Sequence, residues 1–364
     1  MMAVTARQRP IFPHRRNRSA PRPLKDKSMT EQALVPPPWQ ALYAPWAPAS
    51  RRTFGWATPF ILIATYFVSA IPMVILTIVA VAGAPGGLEA AAEGDTSAAL
   101  SGDVILPGIL MQFALWAALI IVWVKAFERR ELASMGFTST SWLGRYLRGL
   151  FVGVGLVLLM GGVMAALTTF APGAVPESMR DMAPPENADW AVLAGGAFIG
   201  FALLALVTFL IQGGAEEVIF RGWLMSTLTA RWGAVAAIIA SSVIFGAFHL
   251  HVMVSGVAYG LMAVFGITAT GLFFALYAYA ERGVWGAAAA HGTFNAAATL
   301  MPLAIAQAGE PERTPSDLFA EVLERATGMA GVEATEVGPH LLVQPGVFLT
   351  LSLILFLRMR ARKG

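Results

Sequence analysis

The chain has 364 residues, 57% of them hydrophobic and only 13% charged, with a mean hydropathy of +0.65. A soluble domain carries about 25% charged residues, so a water-soluble globular fold is excluded. The absence of cysteine rules out disulfides, thiol catalysis and Cys-ligated metals, and the net charge of +3 is the excess that cytoplasmic loops give a membrane protein, with no nucleic-acid partner implied.

The first segment, residues 1–52, differs from the rest. "RQRPIFPHRRNRSAPRPLKDK" is basic, rich in proline and poor in aliphatics. Such a composition buries too little surface to fold, and it lacks the apolar core of a signal peptide. Residues 1–52 are therefore expected to form a disordered cytoplasmic tail, whose basic groups can touch anionic lipid headgroups.

Eight apolar runs follow, at roughly 54–81, 104–124, 149–170, 190–212, 233–249, 254–280, 284–305 and 341–357. A spanning helix needs about 20 apolar residues, so the fifth and eighth are short. In lipid, helices satisfy their own backbone groups. The expected fold is all-α, a polytopic transmembrane helix bundle of about eight spans. With the N-terminus in the cytoplasm, the inside holds the tail, Lys125, Arg129, Arg130, Arg145, Arg148, Arg231, Arg282 and the ending "RMRARKG". The outside holds Arg180, Arg313 and Arg325, 3 of the 25 lysines and arginines. An even span count returns the C-terminus inside. The reading is an integral protein of the plasma (inner) membrane with both termini cytoplasmic.

Within this order, 53–189 forms the N-terminal membrane helices, 190–305 the core, 306–340 an extracytoplasmic loop and 341–364 the last span with its basic end. The loop contains "SDLFAEVLERATG". Ser316 is placed to cap a short helix with Leu318, Phe319, Val322 and Leu323 on one face and Gly328 as its stop.

Ionisable groups inside spans are costly and are candidates for function. The fourth run continues into "GGAEEVIFRGWL". Glu217 and Arg221 are four apart and share a helix face. Glu216 points about 100 degrees away from Glu217, so one glutamate can be held by Arg221 while the other faces a cavity. "FGAFH" sets Phe245 four residues before His249, and "HGTFN" sets His291 four before Asn295. Surrounding alanines and glycines permit close helix approach. A lone histidine in a span is more often a packing residue, and a Glu–Arg pair can be helix glue. The joint set in so uncharged a chain points to chemistry. A glutamate in an apolar site can act as general base towards water, with a neutral histidine positioning it. A second histidine and an asparagine amide can donate to an oxyanion. The set would hydrolyse an amide without a Ser or Cys nucleophile. The same groups, Glu216, His249 and His291, could instead hold Zn2+; the HExxH pattern is absent, and the residues leave the metal open.

These residues resemble the CPBP family of intramembrane proteases, which includes the type II CAAX prenyl endopeptidases and bacteriocin-processing or immunity proteins. Its pattern runs EExxxR, FxxxH, HxxxN on separate helices. "EEVIFR" is Glu216–Arg221, "FGAFH" Phe245–His249 and "HGTFN" His291–Asn295. Each alone is weak, but the three stand in the family's order over roughly 190–305. The resemblance implies that Glu216 activates water with help from His249, and that His291 and Asn295 form the oxyanion hole. Glu217 and Arg221 would brace the site, and Phe245 would pack beside His249. It implies a peptide or protein substrate and membrane lipid as partners, and fits a glutamate mechanism without a required metal as well as a zinc one. The other readings are a non-catalytic immunity or scaffold protein of the same fold, and a transporter, against which the lack of internal repeats counts.

One expectation conflicts with a shared site. His249 lies about 17 residues from the Arg231–Trp232 turn, about 26 Å at 1.5 Å per residue, whereas His291 lies about 8 residues from Gly283, about 12 Å. Either the fifth span begins later than drawn or the helices tilt strongly.

Overall fold

Each predicted apolar run forms a helix in the computed structural model, which describes residues 42–47, 49–93, 99, 101–176, 180, 186–327 and 337–361. Among them no strand occurs. The helices are α1 (Thr58–Gly83), α2 (Gly102–Val122), α3 (Trp142–Phe170), α4 (Gly196–Glu216), α5 (Ala234–Ala247), α6 (Val257–Glu281), α7 (Trp285–Gly309), a short outer helix α8 (Pro315–Thr327) and α9 (Val343–Ala361). The chain is an all-α polytopic membrane protein.

Among the described residues, six helices are long and apolar enough to cross a membrane: Gly55–Gly83, Gly102–Glu128, Trp142–Phe170, Gly196–Trp232, Val257–Glu281 and Pro339–Ala361. That is fewer than the eight expected, for two local reasons. Helix α5 has only 14 residues, about 21 Å of rise. Helix α7 is long but diluted by alanine, glycine, His291 and Asn295. It packs between α3 and α4, so its faces meet protein rather than lipid. The outward faces of the others are apolar, as a lipid surface requires. Val235, Ile239 and Val243 make an exposed stripe on α5, as do Phe60, Phe67, Ile71 and Ile75 on α1.

Small residues let these helices approach. A Cβ on Gly153 of α3 would stand 2.5 Å from the Ala290 carbonyl oxygen of α7, and one on Gly213 of α4 would stand 2.5 Å from the Gly292 nitrogen of α7. In lipid such contact replaces the hydrophobic drive as the source of helix association. Helix α2 packs on α1 and α4, while α6 packs on α5 and α9.

The disordered-tail reading is corrected for its last part. Leu42 is buried, the Tyr43 hydroxyl donates to the Arg221 carbonyl at 3.1 Å, and Trp46 lies under the Arg130 guanidinium at 3.7 Å. The reason is local composition: "LYAPW" carries the apolar and aromatic groups that the rest of the tail lacks. Residues 1–41 lie outside the described residues.

Arg130 is likewise no solvent-facing loop charge. It is fully buried with Glu128, which accepts from Nη1 at 2.9 Å. Its remaining donors reach Ser134 Oγ, the Ser134 carbonyl, Ser226 Oγ and Thr227 Oγ1. Glu128 Oε1 accepts from Thr53 and Trp223. Burial lowers the Arg130 pKa to about 10, against the opposing pull of Glu128.

The outer helix α8 is present, but Ser316 does not cap it. Thr314 does, accepting from the Asp317 amide at 3.2 Å while its hydroxyl donates to the Asp317 carboxylate, a reciprocal capping arrangement. Ser316 instead accepts from the Asp103 amide at the start of α2. Leu318 and Phe319 are buried as expected; Gly328 and the Leu323 side chain lie outside the described residues.

Candidate active site

The predicted residues come from three places: Glu216, Glu217 and Arg221 from α4 and its continuation, Phe245 and His249 from the end of α5, and His291 and Asn295 from α7. Helix α4 does not stop at the motif. It passes through a π-helical stretch, Glu217–Leu224, and resumes as Met225–Trp232. Such segments are rare and widen the helix locally, often at functional sites. The carbonyl that accepts from Tyr43, that of Arg221, lies inside it.

Glu217 and Arg221 form a fully buried pair at 2.9 Å. Arg221 Nη2 donates to the Gly271 carbonyl of α6 at 2.8 Å, and the guanidinium lies 4.5 Å over the Phe245 ring. One cation thereby ties α4, α5 and α6 together. The oxygen of Glu217 that binds Arg221, Oε1, also bonds His291 Nδ1 at 2.8 Å. The other ring nitrogen, Nε2, faces Glu216 Oε2 at 3.5 Å. The 100-degree offset between the glutamates therefore places them on opposite sides of one imidazole, with that ring where a cavity was expected. Phe274 of α6 stacks on the ring at 4.7 Å and 18°, which fixes its plane.

His249 reaches the cluster through Phe245. The two rings lie 5.0 Å apart, and Phe245 lies 5.9 Å from His291. His249 Nδ1 is bonded to the Phe245 carbonyl at 2.9 Å. Asn295 sits one turn beyond His291 and donates to Gln212 Oε1 at 2.8 Å.

The depth conflict resolves without a late start for α5, which begins at Ala234. Val284 donates to the Gly136 carbonyl, and the Met135 carbonyl lies 3.1 Å from a Cβ placed on Gly222. The Gly283 turn thus stands beside Gly222. The helix that carries Gly222 runs on to Trp232, about 15 Å farther. The Gly233 turn projects beyond the Gly283 turn, so the unequal counts from the two turns arrive at neighbouring residues.

Three contributors were missed. Gln212 was legible in part, being an uncharged polar group four residues before Glu216. Tyr43 was not, because its segment was averaged into a basic tail; burial, with the Glu217 carboxylate nearby, keeps its phenol neutral by raising its pKa. Phe274 is one of many aromatics in an apolar run and gives no signal of its own.

His291 bonds Glu217 through Nδ1 and His249 bonds a backbone carbonyl through Nδ1, and no three His, Asp or Glu side chains among the described residues gather as ligands. Two apolar grooves flank α9, of about 680 Å³ against α3 and about 510 Å³ against α5 and α6; neither is lined by a motif residue. The Glu216 and His291 side chains are each only 5% exposed.

Residues 198–297 match the family model described as type II CAAX prenyl endopeptidase Rce1-like. The match contains all three motifs, and the resemblance read from them holds at family level over this segment. No curated protein and no solved structure matches the chain significantly.

Proposed function

We propose that the chain is an intramembrane endopeptidase in which Glu216 activates water. A match to CAAX-type membrane proteases supports proteolysis at the family level, with a peptide or protein as substrate. The observation that carries the finer reading is the imidazole of His291 set between Glu216 and the Arg221-bound Glu217.

Glu217 and Arg221 hold His291 Nδ1, so the Nε2 edge is aimed at Glu216 and the reacting carbonyl. The Glu216 carboxylate takes a proton from water as the water oxygen adds to the carbonyl carbon. The resulting oxyanion accepts from the Asn295 amide and from His291. His249 Nε2 orients the water. The C–N bond then breaks as the oxyanion collapses, Glu216 returns the proton to the amine nitrogen, and a carboxylic acid and an amine leave, which ionise to carboxylate and ammonium in water. No step needs a metal, and zinc is not assigned to the site. The substrate must present an extended strand, since an intact helix shields its amides.

The test is cleavage of a prenylated CAAX-type peptide and of an unmodified peptide library by purified protein, beside Glu216→Ala, with and without a chelator. Cleavage that needs Glu216 and survives chelation is expected. Activity retained by Glu216→Ala would remove the reading. Loss on chelation with recovery on zinc would replace it with a metalloprotease, and no cleavage of any probe would favour an immunity or scaffold role.

A further inference from the structure

Gln212 lies outside the three motifs, on the last turn of α4 before Glu216. It is half-buried in a helix whose neighbouring positions are otherwise apolar or glycine. A polar side chain there is expensive in lipid unless it is partnered. Its partner is a site residue: Asn295 Nδ2 donates to Gln212 Oε1 at 2.8 Å across the α4–α7 contact. Glu216 follows one turn on, at the i, i+4 spacing that puts two side chains on one helix face. The Gly213–Gly292 approach next to it holds the two helices at the distance this ladder needs.

The chemistry of the amide suits this place. An asparagine NH2 has two donors. With one held by Gln212, the amide plane is set, and the second is left for a substrate oxygen. A leucine at 212 would leave the Asn295 amide free to rotate; a glutamate would set a like charge beside Glu216. The glutamine amide offers an acceptor to Asn295 and a donor towards the Glu216 carboxylate.

We infer that Gln212 is a positioning residue that orients the Asn295 amide for the oxyanion and links it to the general base Glu216. This rests on the protease reading above, and the experiment separates the two. Full-length protein in detergent is assayed with the prenylated CAAX-type peptide and the unmodified library as Gln212→Leu, Asn295→Leu, the double variant and Glu216→Ala. Gln212→Leu should lower kcat by about 10-fold or more while KM stays within about twofold, because an interaction made only in the transition state is weakened. The double variant should be no slower than Asn295→Leu, because Gln212 acts through Asn295. The exchanged pair Gln212→Asn with Asn295→Gln restores an amide–amide bond of the same total reach and should recover activity over either single exchange.

Wild-type kcat in Gln212→Leu with Glu216→Ala inactive would overturn this inference alone. So would a raised KM with kcat intact, which would make Gln212 a substrate contact. Activity in Glu216→Ala would overturn the protease reading instead. If the wild-type protein cleaves no probe, the melting midpoints of the wild type, Gln212→Leu, Asn295→Leu and the double variant still decide the link. Coupled losses at 212 and 295 support it, and additive losses overturn it.

Discussion

Gly213 of α4 and Gly292 of α7 meet backbone to backbone: a Cβ on Gly292 would stand 2.7 Å from the Leu210 Cα, and one on Gly213 2.5 Å from the Gly292 nitrogen. No side chain fits between them, and it is this contact that brings Glu216 to His291 and Gln212 to Asn295. Replacing either glycine with valine should part the helices. Overpacking costs typically 1–3 kcal/mol, and displacing a catalytic group by about 1 Å can cost on the order of 100-fold in rate. A lower melting midpoint with an equal or larger relative loss of cleavage is expected; full activity in both variants would show that the approach does not set the site.

The Glu217–Arg221 pair should behave as a buried ion pair. Arg221→Met strands a carboxylate with no solvent, at a typical cost of about 3–5 kcal/mol. Removing both charges, as Glu217→Gln with Arg221→Met, should be less destabilising than Arg221→Met alone. Thermal melts of Glu217→Gln, Arg221→Met and the double variant in one detergent measure the coupling, and additive losses would contradict it.

Asn295→Ala should leave binding nearly intact and lower kcat by about 100- to 1,000-fold, the usual effect of removing one oxyanion donor. Steady-state kinetics on any peptide the protein cuts give the split. A change confined to KM would assign Asn295 to substrate binding.

Tyr43→Phe removes one hydrogen bond to the Arg221 carbonyl and should cost about 1 kcal/mol. Arg130→Met should cost more, because it leaves Glu128 buried without its cation. Both should lower the melting midpoint of the protein while Lys125→Met, whose partner Glu131 is 79% exposed, should leave it unchanged. Equal midpoints for Arg130→Met and Lys125→Met would show that the buried network does not hold this end of the bundle.

How much of this was legible depended on the range of the signal. Every long helix was readable, because an apolar run reports on itself, and the Glu–Glu–Arg, Phe–His and His–Asn spacings named the residues that meet. Pairings across the chain were not readable. Arg130 was read as a charge of a cytoplasmic loop, and only the fold brings Ser226 and Thr227 to it and Thr53 to its partner Glu128. Of the eight runs, six give described helices long and apolar enough to cross a membrane; α5 falls short in length, and α7 in hydropathy because alanine, glycine, His291 and Asn295 dilute it. The depth of His291 was misjudged for another reason. Counting residues from each turn assumes that the turns share a plane, and the Gly233 and Gly283 turns do not.

The closure of the site has a kinetic consequence. With the side chains of Glu216 and His291 each 5% exposed, a polypeptide cannot reach the carboxylate while the bundle holds this arrangement. Turnover on the proposed mechanism then waits on helices parting, a motion of microseconds to milliseconds, and the catalyst works as a turnstile. Its preference among substrates is set by how long each can keep the passage open, and its temperature dependence should report the stiffness of the surrounding lipid as much as the barrier to hydrolysis.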